Sequence, residues 1–303
     1  MEYQFYTVDV FTEQIFGGNQ LAVFPQGEGL TEIQMQKIAA EFNFSETAFI
    51  LPPETNSGDR RVRIFTPTTE LPFAGHPTIG TAYILGAIGA VALPQDETRI
   101  ILEEGVGLVP VTILSQTGKP FYTELTSPQL PQFRDDVPTI ADLAQMLSLE
   151  SKDLEIPNYS PQAVSCGLPF LFIPLSNRRS LAQAQLQPQI WETLLKNSWA
   201  KALYLFCFEP EREGSDVRVR MFAPHLGVRE DPATGSAAAA FGGYLGRLSP
   251  LGDGTLRWVI EQGFEMGRPS ILRVETDKVA GQIRAIRVGG ASVLVTQGVF
   301  RIS

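Results

Sequence analysis

Short runs with apolar residues at every second position recur along the first half of the chain. They lie at Gln4–Phe11, Leu21–Phe24, Ala48–Leu51, Arg61–Phe65, Arg99–Leu102 and Leu108–Leu114. Others follow at Phe170–Pro174, Leu203–Phe208, Val217–Phe222, Ile271–Val274, Ile283–Val288 and Ser292–Ile302. A period of two marks strands with one face buried. Helical spacing is confined to Thr31–Phe42, Pro77–Ile88, Ile140–Leu147, Ile190–Leu195 and Thr234–Leu245. Many strands, few helices and no strict alternation of the two predict an α+β fold with mostly antiparallel sheets.

The pattern repeats. Arg61-Val62-Arg63-Ile64-Phe65-Thr66-Pro67 returns as Arg218-Val219-Arg220-Met221-Phe222-Ala223-Pro224, 157 residues later in a chain of 303. Each copy leads through a polar loop and a Pro-containing turn into an uncharged run rich in small residues. These runs are Ala74-Gly75-His76-Pro77-Thr78 and Asp231-Pro232-Ala233-Thr234-Gly235-Ser236. Two related halves are therefore expected, divided within Gly118–Pro131, where prolines cluster. The N-terminal half takes residues 1–122, joined by a returning C-terminal strand over 290–303; the C-terminal half takes 123–289.

Composition narrows the class. The chain is 44% hydrophobic and 19% charged, so it folds around large buried cores. A net charge of -9 argues against a nucleic-acid partner. The uncharged stretch Leu71–Gln95 carries an apolar part, Thr78–Leu93, that is short for a membrane span and flanked by Glu70 and Asp96. It reads as a core helix, apolar on every side, and no membrane association is expected. Two cysteines, Cys166 and Cys207, suit a reducing cytoplasm. Two histidines make a His/Cys metal site unlikely, and no phosphate-binding or dinucleotide motif is present.

Candidate chemistry gathers where the repeated helices begin. A helix start exposes unbonded N–H groups and the positive end of the macrodipole, and small residues let a ligand approach them. Gly75 in one half, and Gly235 and Ser236 in the other, could bind one carboxylate. On the residues alone, close helix packing explains the same small residues equally well.

These segments resemble the PhzF-like phenazine-biosynthesis family, whose fold is that of diaminopimelate epimerase. The resemblance is carried by Asp9-Val10-Phe11 with Gly17-Gly18-Asn19, Glu41–Phe49, Arg63–Pro67 and Glu70–Ala82. It continues through Glu230–Ala237 and Gln262–Ser270 in family order. It implies two pseudo-symmetric domains, each a curved sheet around a central helix, with the substrate in a cleft between them. It implies a cofactor-independent isomerase, a homodimer, that moves a proton at carbon in a small amino- or hydroxy-carboxylate. Glu46 would be the general acid/base, and His76 and Asp231 would hold substrate groups or share in proton transfer. Gly75, Gly235 and Ser236 would bind the carboxylate.

Some positions depart from the family. Gln20 replaces a usual proline, and His225 stands where an acid is common. The cysteine pair of racemase relatives is absent, its positions matched here by Ala74 and Ala233. Read without the resemblance, Glu46 could instead solvate a turn, His76 could be satisfied by backbone and Asp231 could be an N-cap. The alternative function is a non-catalytic small-molecule-binding or scaffold protein on the same fold. For the catalytic reading, the neighbours Phe42, Phe44, Phe49 and Ile50 would desolvate the Glu46 carboxyl if they enclosed it.

Overall fold

The computed structural model describes residues 1–302. The chain folds as two compact units, one of Met1–Pro128 with the chain from Arg287 on, the other of Gln129–Ile286.

The first unit contains β1 (Glu2–Val10), β2 (Asn19–Phe24), α1 (Glu32–Phe42), β3 (Glu46–Leu51), β4 (Arg60–Phe65) and β5 (Glu70–Leu71). It continues through α2 (Gly75–Ala87), β6 (Glu97–Glu104), β7 (Gly107–Gln116) and β8 (Lys119–Thr126). Strand β2 runs antiparallel to β1 and parallel to β3; β3 and β4 are antiparallel, and β4 starts parallel to β6. Strands β6, β7 and β8 form an antiparallel meander. Thr31 and Gln34 make a capping box at the start of α1, and Asn43 ends it in the left-handed region. That helix packs Met35, Ile38 and Ala39 with Phe24, Phe49 and Phe65.

Helix α2 is buried along eleven of its thirteen residues, as its uniform apolarity predicts. It packs against β1, β2, β7 and β8. Gly80 is needed for this approach: a Cβ there would come within 2.7 Å of the Leu21 and Val10 side chains.

The second unit contains β9 (Gln132–Arg134), α3 (Ile140–Met146), β10 (Gln162–Ser165), β11 (Pro169–Pro174), α4 (Arg178–Gln183) and α5 (Pro188–Leu195). Next come β12 (Ala202–Cys207), β13 (Val217–Ala223), β14 (Val228–Asp231), α6 (Gly235–Leu248), β15 (Gly254–Gln262) and β16 (Ser270–Val279). Strand β17 (Gln282–Gly290) crosses back to the first unit, where its end pairs with β8, and β18 (Ser292–Arg301) pairs with β1. Helix α6 packs against β10, β11, β15 and β16, with Gly242 and Gly246 against Thr276. The Lys278 ammonium donates to the Gly246 and Ser249 carbonyls at 2.9 Å, a cation where the α6 dipole is negative. Helices α3 to α5 cover the other face through Leu143, Leu181 and Leu195, packed on Leu171, Leu203 and Leu205.

The internal repeat extends to hydrogen bonds. Glu103 accepts from the Glu54 and Thr55 amides at 2.6 and 2.9 Å, as Glu261 does from Glu211 and Arg212 at 2.8 and 2.6 Å. Asp59 accepts from the Ile101 amide and Asp216 from the Val259 amide, each at 2.7 Å. Arg63 pairs with Glu70 as Arg220 pairs with Glu230. The duplication is one of fold, with the same loop-tying carboxylates kept in both copies.

Candidate active site

Glu46 opens β3, and its side chain meets the first turn of α2. Its Oε2 lies 3.3 Å from His76 Nε2, with the carboxyl side chain 13% and the imidazole 4% exposed. On the far side of the ring, Asn19 Nδ2 lies 3.1 Å from His76 Nδ1. With the amide nitrogen as donor, Nδ1 accepts and the ring proton sits on Nε2. Burial drives the His76 pKa down to about 3, against the opposing effect of the Gln20 backbone carbonyl. The close approach is therefore a polar contact between a carboxyl and a neutral imidazole, without hydrogen-bond geometry, and not an ion pair. A charged imidazolium would weaken Glu46 as a base; a neutral one does not.

The apolar setting of Glu46 differs from the sequence expectation. Side chains alternate along β3, so Phe49 points away from Glu46 and joins Phe42 in the cluster on α1. Ile50 shares the Glu46 face. The side chain lying against the carboxyl is that of His76, in the first turn of α2.

Two residues beyond His76, the Thr78 hydroxyl lies 2.7 Å from both the Ala74 carbonyl and Glu104 Oε1. One hydroxyl has one proton, and a carbonyl can only accept. With that proton on Ala74, the contact to Glu104 requires the carboxyl to be the donor and hence neutral. Burial pushes Glu104 the same way, up to about 8, opposed by Thr78.

In the second unit Asp231 ends β14 and accepts from the Thr234 hydroxyl at 2.5 Å. Gln262, at the end of β15, donates to the Asp231 carbonyl at 2.8 Å and to Thr234 Oγ1 at 2.9 Å. Its Oε1 accepts from the Thr234 amide at 3.0 Å. Thr234, not Asp231 or Ala233, is the N-cap of α6, and Ala74 is that of α2; neither start carries a side-chain cap bond. Helix starts without side-chain caps leave backbone N–H groups at Gly75, His76, Gly235 and Ser236 for other acceptors. Ser236 is buried at 6% exposure.

The structure thus brings Glu46, His76 and Gly75 together in one unit, and Asp231, Gly235 and Ser236 in the other. Sequence reasoning did not single out Asn19, Gln262 or Glu104 as supporting residues. The repeat could have found the last two, because Glu104-Gly105 and Gln262-Gly263 are equivalent strand ends 158 residues apart. His225, by contrast, lies in the turn after β13, its ring stacked on Trp191. Cys166 and Cys207 are buried thiols outside any disulfide, and among the described residues no three His, Cys, Asp or Glu side chains gather to hold a metal ion. Among the described residues, no helix is long and apolar enough to cross a membrane.

Known proteins match along the whole chain. The family described as phenazine biosynthesis-like protein matches residues 8–298. An uncharacterized isomerase of Mesorhizobium japonicum is 39% identical over 96% of both chains. The trans-2,3-dihydro-3-hydroxyanthranilate isomerase of Pseudomonas fluorescens is 34% identical, again over 96% of both. The crystal structure of a PhzF-family phenazine biosynthesis protein from Bacillus anthracis superposes with a TM-score of 0.89 at 26% identity over the full length of both. The chain therefore belongs to the phenazine biosynthesis-like protein family and is an enzyme of the isomerase class.

Proposed function

We propose that this isomerase moves a proton between carbons of a small amino- or hydroxy-carboxylate by general acid/base catalysis, without a cofactor, and that Glu46 carries the proton. The observation that carries this reading is the buried Glu46–His76 contact of 3.3 Å. Moving a proton between carbons needs a base, held within reach, that takes a proton from one carbon and, after exchange with solvent, delivers one to another. His76, kept uncharged by burial, lies against one carboxyl oxygen at 3.3 Å. A neutral ring there positions Glu46 without the loss of basicity that an imidazolium would cause.

In this reading the helix starts, Gly75 in one unit and Gly235 with Ser236 in the other, offer backbone N–H groups, and Ser236 its hydroxyl, to a substrate carboxylate. Asp231, set by Thr234 and Gln262, accepts from a polar substrate substituent. The name of the Pseudomonas fluorescens relative supplies the first compound to try. The enzyme incubated with trans-2,3-dihydro-3-hydroxyanthranilate in heavy water should yield an isomer carrying one solvent-derived deuterium on carbon. If neither this compound nor other small amino- and hydroxy-carboxylates exchange any carbon-bound hydrogen, the reading fails.

A further inference from the structure

Tyr204 lies on β12 with its side chain on the α6 face of the sheet, its ring 5.4 Å from Phe172 and 5.5 Å from Phe241. It is fully buried, and its hydroxyl has no hydrogen-bond partner among the described residues. A buried phenol without a partner costs stability, so its retention calls for a reason.

Strand register places that hydroxyl. Tyr204 pairs with Met221 on β13, and Met221 pairs with Asp231 on β14, so the three side chains form one row on one face. Burial pushes the phenol's pKa upward, and the Asp231 charge adds to that. The equivalent row in the first unit is Ala48, Ile64 and Leu71, paired in the same way. There all three side chains are apolar and buried. The fold is content with hydrocarbon in this row; only the second unit carries a phenol and a carboxylate in it.

A phenol donor beside a carboxylate acceptor matches a group that accepts one hydrogen bond and donates another. We propose that Tyr204 is a substrate-contacting specificity residue, its O–H donating to a substrate hydroxyl that in turn donates to Asp231. This rests on the reading above, in which the second unit holds part of the substrate. It adds a requirement for a hydroxyl, set by a residue distinct from the proton carrier.

The test uses 3-hydroxyanthranilate and anthranilate, a pair differing by one hydroxyl, as calorimetric probes of the full chain. The wild type should bind the hydroxylated probe roughly tenfold more tightly, and Tyr204→Phe should abolish that preference while leaving anthranilate affinity unchanged. Because phenylalanine keeps the ring packing, the variant should melt no lower than the wild type. The proposal is overturned if the wild type shows no preference, binding of neither probe included. It is equally overturned if Tyr204→Phe weakens both probes alike, or lowers Tm and keeps the preference, as a bond to a structural water would require. Glu46→Gln, measured beside it, should keep the preference and lose isotope exchange; retained exchange would overturn the proton-carrier reading and leave that of Tyr204 standing.

Discussion

His76 presents Nε2 to Glu46 Oε2 at 3.3 Å while Asn19 holds Nδ1 from behind at 3.1 Å. The amide thereby holds the ring, and a pKa driven down to about 3 by burial keeps it uncharged across the working range. On the proposed reading it can position Glu46 but cannot titrate with it. The pH–rate profile should accordingly lack an imidazole limb near 6.5. His76→Ala should lower kcat by about a hundredfold with little change in KM, through misplacement of Glu46. A profile whose acid limb disappears in this variant would make His76 a proton carrier instead.

Glu104 gives a separate pH signature. The unfolded chain releases this proton near the ordinary carboxyl value of 4.5, the folded one near about 8. The unfolded state therefore ionises first, so this group makes stability fall as pH rises between those values and level off above them. Glu104→Gln should remove that decline in denaturant titrations between pH 5 and 8, by up to a few kcal/mol. An unchanged slope would mean that the folded carboxyl is already ionised.

The two copies of the repeated arginine should differ in weight. Arg218 is 6% exposed and faces Glu261 at 0%, with Glu265 at 3.0 Å and the Phe264 ring 4.0 Å away. Arg61 pairs with Glu54 where the two side chains are 35% and 65% exposed. Arg218→Ala strands a buried carboxylate and should cost about 3–5 kcal/mol. Arg61→Ala should cost about 1 kcal/mol or less. Chemical denaturation of both variants checks the contrast, and equal losses would contradict it.

Gly263 follows Gln262 at φ +78°, and a Cβ there would overlap the Arg268 and Pro232 carbonyl oxygens. Both obstacles are backbone, so they cannot swing aside. Gly263→Ala should destabilise by about 1–3 kcal/mol and disturb the Asp231 turn, seen as a lower Tm and a raised KM. Wild-type values for both would contradict this account of the turn.

Much of this was legible in the sequence for physical reasons. Uniform apolarity identified α2 as a fully buried helix, and the Arg-x-Arg-hydrophobic repeat identified the duplicated halves. Strand β8 escaped notice because Pro120 interrupts its pattern; that residue sits in the stretch paired with β7 alone, beside a register shift at Leu114/Ser115. Strand β15 was hidden by Arg257 and Glu261, whose charges are taken up by Glu275 and Arg218 in the folded chain. At the site, proximity along the chain misled: Phe49 is three residues from Glu46 yet faces the opposite side of β3. His76, thirty residues away, is the neighbour that matters. Asn19 and Tyr204 could not be found without register, because nothing local distinguishes them.

The most direct test of Glu46 as proton carrier is solvent isotope exchange by Glu46→Gln, a near-isosteric change that removes the base. The wild type should place one deuterium from heavy water on substrate carbon, and the folded variant should place none while still binding substrate. Wild-type exchange by a folded Glu46→Gln enzyme would contradict the assignment.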